Sequence, residues 1–197
     1  SMGPRAAAGA QAAGEGGGGT ATLTRADAGG VSVGGAVGET AANTRIAIGY
    51  AGGGVLAFGS TNDYTGGTII TSGTARLGAN NAFSVGALTL GGAGTAGVLD
   101  LGGFNQTVSS LTLGAGSVAG DQIIGNSSLV ADSVFTYLGG TTSLGLVIRD
   151  TLGAGTRKTG LNLAGTGVVT FLCANDYTGT TTIAATTTAQ VGAFGTA

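Results

Sequence analysis

From residue 20 onward, apolar and polar side chains alternate in short segments: TATLT at 20–24, RIAI at 45–48, VLAF at 55–58, ALTL at 87–90, VLDL at 98–101 and LTL at 111–113. A period of two puts successive side chains on opposite faces of an extended chain, so each segment predicts a strand with one buried face. The leucines that close successive segments, Leu77, Leu90, Leu101 and Leu113, are 13, 11 and 12 residues apart, a strand-and-turn rhythm. Glycines fall between them, at Gly91-Gly92-Ala93-Gly94, Gly102-Gly103 and Gly114-Ala115-Gly116, where a corner can take positive φ without steric cost. No segment after residue 20 sustains an apolar stripe of period 3.6. βαβ architectures therefore lack their helices, and a sandwich, a barrel or a solenoid is left.

Comparing the chain with itself separates these three. Val55 to Gly78 (VLAFGSTNDYTGGTIITSGTARLG) resembles Val168 to Gly192 (VVTFLCANDYTGTTTIAATTTAQVG), with an offset of 113 from Val55 to Val168 and from Tyr64 to Tyr177. The shared centre is Asn62-Asp63-Tyr64-Thr65-Gly66 and Asn175-Asp176-Tyr177-Thr178-Gly179, followed at equal distance by Thr68 and Ile70 or Thr181 and Ile183. Internal repetition favours a solenoid, in which strands of successive coils pair about 4.8 Å apart around a narrow core of small apolar residues.

Composition permits such a core and narrows the class. Of 197 residues 42% are hydrophobic but only 5% aromatic, with 43 Gly against 1 Pro, so the core is built from small pieces. Charged residues make up 8%, with 7 basic against 9 acidic. That excludes a basic nucleic-acid footprint and a polybasic membrane patch, and leaves Ser, Thr, Asn and Gly to solvate the surface, as in extracellular fibrous proteins. The lone Cys173 excludes an intrachain disulfide, and the absence of His removes the commonest general base and transition-metal ligand. No apolar run reaches 18 residues and the N-terminus lacks a signal-peptide layout. Residues 1–19 read as an expression scar followed by an Ala/Gly tract and are expected to be flexible. Residues 20–54 are expected to form the first β-coils, and 55–197 a β-helix with repeats at 55–78 and 168–192, cut mid-repeat at the C-terminus from something longer.

The two copies resemble the passenger-associated transport repeat of bacterial autotransporters, in which an apolar-Thr alternation leads into Asn-x-Tyr-Thr-Gly-Gly-Thr, an apolar residue and then Gly-Thr. Asn62, Tyr64, Thr65, Gly66, Gly67, Thr68, Ile70, Gly73 and Thr74 fall in place in the first copy. The second keeps Asn175, Tyr177, Thr178, Gly179 and Thr181, with Thr180 for the second Gly and Thr186-Thr187 for Gly-Thr. The resemblance covers about residues 55–197 and implies an all-β, right-handed parallel β-helix that is secreted or displayed at the bacterial cell surface. There the repeat would aid export and folding through backbone and packing. The Asn side chains are expected to bond backbone at a turn, the Tyr to cover the coil's edge and the Gly to set the bend.

Reactive chemistry finds little support. Gly92 to Gly97 spells G-x-G-x-x-G after a strand, but another strand follows where a phosphate site needs a helix N-terminus. Arg157-Lys158-Thr159 has Arg where a phosphate-binding loop needs Gly. Serine-hydrolase, zincin, calcium-nonapeptide and EF-hand motifs are absent. The fold raises polysaccharide cleavage by paired carboxylates, but the nine acidic residues are scattered singly. Asp63 and Asp176, equivalent in the repeat, read as turn residues; Arg149-Asp150 and Arg157-Lys158 read as solvated loop charges. Cys173 reads as a buried small hydrophobe. The expectation is a scaffold or adhesive module, not an enzyme, without cofactor or metal. Its candidate partners are further copies of itself or a host or cell-surface glycan or protein, with no nucleic acid and with membrane contact only through a β-barrel outside this chain. The alternatives are a carbohydrate-binding or polysaccharide-cleaving β-helix, and a subunit of a homopolymeric extracellular fibre.

Overall fold

The computed structural model describes residues 19–25, 30–39 and 45–192, with backbone alone for 19–25. The expectation for residues 1–18 lies outside these, as do residues 193–197. The predicted alternating segments become strands: β1 (Gly19–Arg25), β2 (Val31–Val33), β3 (Ile46–Phe58), β4 (Thr68–Leu77), β5 (Ala87–Leu90), β6 (Gly97–Asp100), β7 (Gln106–Val108) and β8 (Ser110–Leu113). They continue as β9 (Ile123–Asn126), β10 (Ser133–Tyr137), β11 (Thr142–Leu144), β12 (Val147–Thr151), β13 (Thr159–Leu163), β14 (Gly167–Phe171), β15 (Thr181–Ile183) and β16 (Thr187–Val191). Among the described residues all strand pairings are parallel, no helix occurs, and the strands stack into a β-solenoid of about 6 turns. The all-β solenoid read from the repeats is the observed architecture.

Register defines the coil. Ile48 pairs with Thr68, Thr68 with Leu88 and Leu88 with Leu111, steps of 20, 20 and 23 residues. The leucine rhythm of about 12 is therefore half a coil: Leu90 pairs with Leu113 on one face, while the pair Arg76–Asp100 sets Leu77 over Leu101 on another. The long strands β3 and β4 bend round a corner at register shifts near Tyr50, Ala51 and Val55 and serve two faces each.

Three sheets result: a nine-stranded sheet holding β1 to β6, β8, β9 and β12; a four-stranded sheet in the order β15-β13-β10-β7; and a three-stranded sheet in the order β11-β14-β16. Inward side chains stack in columns, and Leu56, Ala75, Leu99, Ile124 and Ile148 follow the pairing of β3, β4, β6, β9 and β12 with 0% exposure. Such columns bury small and medium apolar side chains against like neighbours above and below, which is why few aromatics suffice. Phe58 and Phe83 meet edge to face with centroids 5.0 Å apart.

The Gly92–Gly97 stretch is a tight corner between β5 and β6, where Gly92 and Thr95 exchange backbone bonds of 3.4 and 3.2 Å. It opens no helix. At Gly102 and Gly103, φ values of 57° and 93° turn the chain after β6, as the glycine spacing predicts. Cys173 is half-buried, and partial desolvation pushes its thiol up.

Candidate functional site: the paired Asn-x-Tyr-Thr-Gly corners

The two motif copies close equivalent corners on different faces. The first leads from β3 into β4, which stacks below the first half of β3 in the nine-stranded sheet; the second leads from β14 into β15, which stacks below β13 in the four-stranded sheet. β7 and β8, separated by Ser109 alone, carry these two faces on one coil, so the copies stand one face apart around the solenoid axis. The equivalence extends upstream of the sequence match: Ile48 pairs with Thr68 as Leu161 pairs with Thr181, and both members keep the offset of 113.

Each asparagine bonds its own turn and the coil above. Asn62 accepts from the Val37 amide at 2.5 Å and donates to the carbonyl of Ser60 at 3.1 Å and to that of Ala82. Asn175 accepts from the Ile148 amide at 2.7 Å and donates to Cys173 carbonyl at 3.1 Å. Satisfying backbone groups across coils lets a polar side chain sit at 5% exposure at position 62.

Tyr64 does not cover an edge. It lies inside the core at 1% exposure, with its hydroxyl 2.5 Å from Thr68 Oγ1, and burial pushes its phenol up to about 12. Tyr177 packs against the core half-buried, its hydroxyl 2.9 Å from Thr181 Oγ1. The difference follows from what lies below: β5 and β8 stack under β4, whereas β15 ends its sheet and Thr181, Thr182 and Ile183 are exposed.

Gly66 sits under the strand above, with its amide donating to Ile46 carbonyl at 2.8 Å; a Cβ there would collide with that carbonyl, and one on Gly179 with the carbonyl of Thr159. The departures of the second copy fall where the first needs left-handed backbone. Gly67 and Gly73 have φ of 87° and 79°, and at their counterparts Thr180 and Thr186 the backbone stays out of that region, so the second corner follows a path that threonine can adopt.

The corner roles of Glu39 and Asp150 escaped the sequence reading. Glu39 accepts from the amides of Ile46 and Thr65 at 2.8 and 2.7 Å and from the Thr65 hydroxyl at 3.0 Å. Asp150 accepts from the amides of Thr159 and Thr178, both at 2.9 Å, and from the Thr178 hydroxyl at 2.6 Å. A carboxylate of the preceding coil thus grips the motif threonine and the first residue of the strand between them. Arg45 stands beside Glu39 and Lys158 beside Asp150, and these cations keep the offset of 113. The amides of Thr65 and Ile46 hold Glu39 below the usual carboxylate range. For Asp150, partial burial works upward, but the Thr178 hydroxyl and the Thr159 and Thr178 amides outweigh it and bring the group down. Asp150 is therefore part of a corner and not merely a solvated loop charge. Asp63 and Asp176 are exposed, with Asp176 Oδ1 3.9 Å from Arg149 Nε. No group of three or more His, Cys, Asp or Glu residues placed to hold a metal occurs among the described residues.

Columns of stacked strands with paired corners of this kind define a class, the parallel β-solenoid, and the comparison with known proteins finds similarity to an autotransporter adhesin, with which that architecture is consistent. The chain is 35% identical over 134 residues, 66% of its length, to "Adhesin BmaC autotransporter" of Brucella suis biovar 1 (strain 1330), and spans 4% of that relative. No family model and no solved structure matches the chain. The resemblance to an autotransporter adhesin thus holds in sequence, and the β-solenoid is consistent with it.

Proposed function

We propose that this chain is a surface-displayed or secreted stretch of autotransporter passenger that acts as a stalk, aids export and folding, and supports adhesion. The observation that carries the reading is the unbroken inward column from Leu56 to Ile148, with Glu39 and Asp150 tying neighbouring coils together. The match to a protein described as an adhesin supports the adhesive part and a location at the cell surface or outside the cell. Deleting residues 45–192 from the parent protein tests it. Surface display and adherence of the producing cells should both fall; undiminished display and adherence would contradict the proposal.

A second reading, glycan binding, is favoured by a groove between β10, β13 and β15 lined by Asp132, Val134, Lys158, Gly160, Thr178 and Thr182. Saturable binding on a glycan panel, lost in Lys158→Ala, would support it.

A further inference from the structure

The two corners share a construction that the repeat pattern does not contain. In each, one carboxylate bonds two backbone amides that belong to the next coil and its following corner, and one hydroxyl between them. The acids differ in type and sit 26 and 28 residues before the motif threonine, yet they serve the same atoms: the strand-opening amides of Ile46 and Thr159, and the amides and hydroxyls of Thr65 and Thr178. The same grip built twice, from different acids and on different faces, marks a device and not an accident of one loop.

We propose that Glu39 and Asp150 are acid-released latches, each holding its passenger repeat to the preceding coil while ionised and loosening that corner when protonated. Hydrogen bonds to an ionised acceptor are roughly twice as strong as neutral ones, so each latch loses much of its hold when its charge goes. Among the described residues the charged groups facing the two acids are few. Arg45 faces Glu39 and favours its ionised form, and the Asp63 carboxylate lies beside Gly38, the residue before Glu39. Lys158 faces Asp150; nearby, Arg157 is tied to Asp132 at 3.0 Å, and Arg149 lies 3.9 Å from Asp176. Both acids have folded-state values below their unfolded ones, so the hold is fully present above the unfolded carboxylate range and is lost as pH falls through the folded values.

Amide hydrogen exchange, read as protection factors between pH 7 and pH 2 on the whole chain, tests this. The amides of Ile46, Thr65, Thr159 and Thr178 should lose protection relative to the Gly91 and Gly114 amides, which donate to the carbonyls of Ile70 and Leu90. At pH 7, Asp150→Asn should lower protection at Thr159 and Thr178 alone, and Glu39→Gln at Ile46 and Thr65 alone. If the four amides follow the two controls throughout the pH range, or if neither substitution lowers its own pair, the latch does not exist. The native-chain titration decides the matter even if a variant fails to fold.

Discussion

The amide of Gly66 donates to the carbonyl of Ile46 at 2.8 Å, and the same carbonyl occupies the space that a side chain on Gly66 would need. The glycine of the motif is thus required by close approach, since its backbone passes directly beneath the strand above. In Gly66→Ala neither backbone can yield without breaking the strand pairing on both sides, and a loss of about 1–3 kcal/mol is expected. Urea denaturation measures it; a change within about 0.5 kcal/mol would show that the corner is loosely built.

Tyr64 and Tyr177 occupy equivalent places with unequal burial. Tyr64→Ala should cost about 3–5 kcal/mol, and Tyr177→Ala clearly less, because its ring already meets solvent. Tyr64→Phe should cost about 1–2 kcal/mol by leaving the buried Thr68 hydroxyl without its partner. Equal losses for the two alanine variants would contradict the placement of Tyr64 in the core.

Burial of the Tyr64 phenol also makes stability depend on alkaline pH. Its folded value, about 12, exceeds the unfolded value of 10.0. The contribution is therefore fully present below the unfolded value and is lost as pH rises through the folded one. Burial raises the Tyr137 phenol as well, but in a spectrophotometric titration of the folded chain the step near pH 12 should belong to Tyr64, and Tyr64→Phe should remove it.

On the face that includes β4 and β6, Asp100 is buried at 2% and accepts from Arg76 Nε at 2.6 Å and from the amides of Gly102 and Ser127 at 3.0 and 2.9 Å. Arg76 is 47% exposed. Asp100→Ala strands two amides and should cost about 3–5 kcal/mol. Arg76→Ala, at the solvated end of the pair, should cost about 1 kcal/mol. Comparable losses measured by denaturation would mean that the amide contacts do not matter.

What the sequence made legible is what repeats locally. Alternation in segments such as VLAF and ALTL marked strands, glycine runs marked corners, and Asn62 to Gly66 recurring at Asn175 to Gly179 marked a solenoid. Less visible was anything that depends on how the faces stack. The leucine rhythm gave half a coil because alternate leucines belong to different faces. That the two motif copies stand one face apart follows from β7 and β8 sharing a coil, which no local pattern records. Tyr64 was expected at an edge, yet it points inward, because coils stacked below its corner close the core over it. The shared role of Glu39 and Asp150 stayed hidden because they differ in type, their spacing to the motif differs by two residues, and their partners are chiefly backbone amides. The recurrence of Arg45 at Lys158 was the one signal in the sequence that would have drawn attention to them.

The parallel coil sets every contact described above, and disulfide trapping tests it most directly. Thr89 and Thr112 pair in register on β5 and β8 with hydroxyls 3.0 Å apart, and Thr136 pairs with Asn162 on β10 and β13. Neighbouring parallel strands lie about 4.8 Å apart, within the reach of a disulfide. In a Cys173→Ser background, Thr89→Cys with Thr112→Cys, and separately Thr136→Cys with Asn162→Cys, should each close within one molecule, read by mass spectrometry as the loss of two hydrogens. Failure of both pairs to close within the chain, or equal closure of a Thr89→Cys pair placed one residue out of register, would contradict the solenoid.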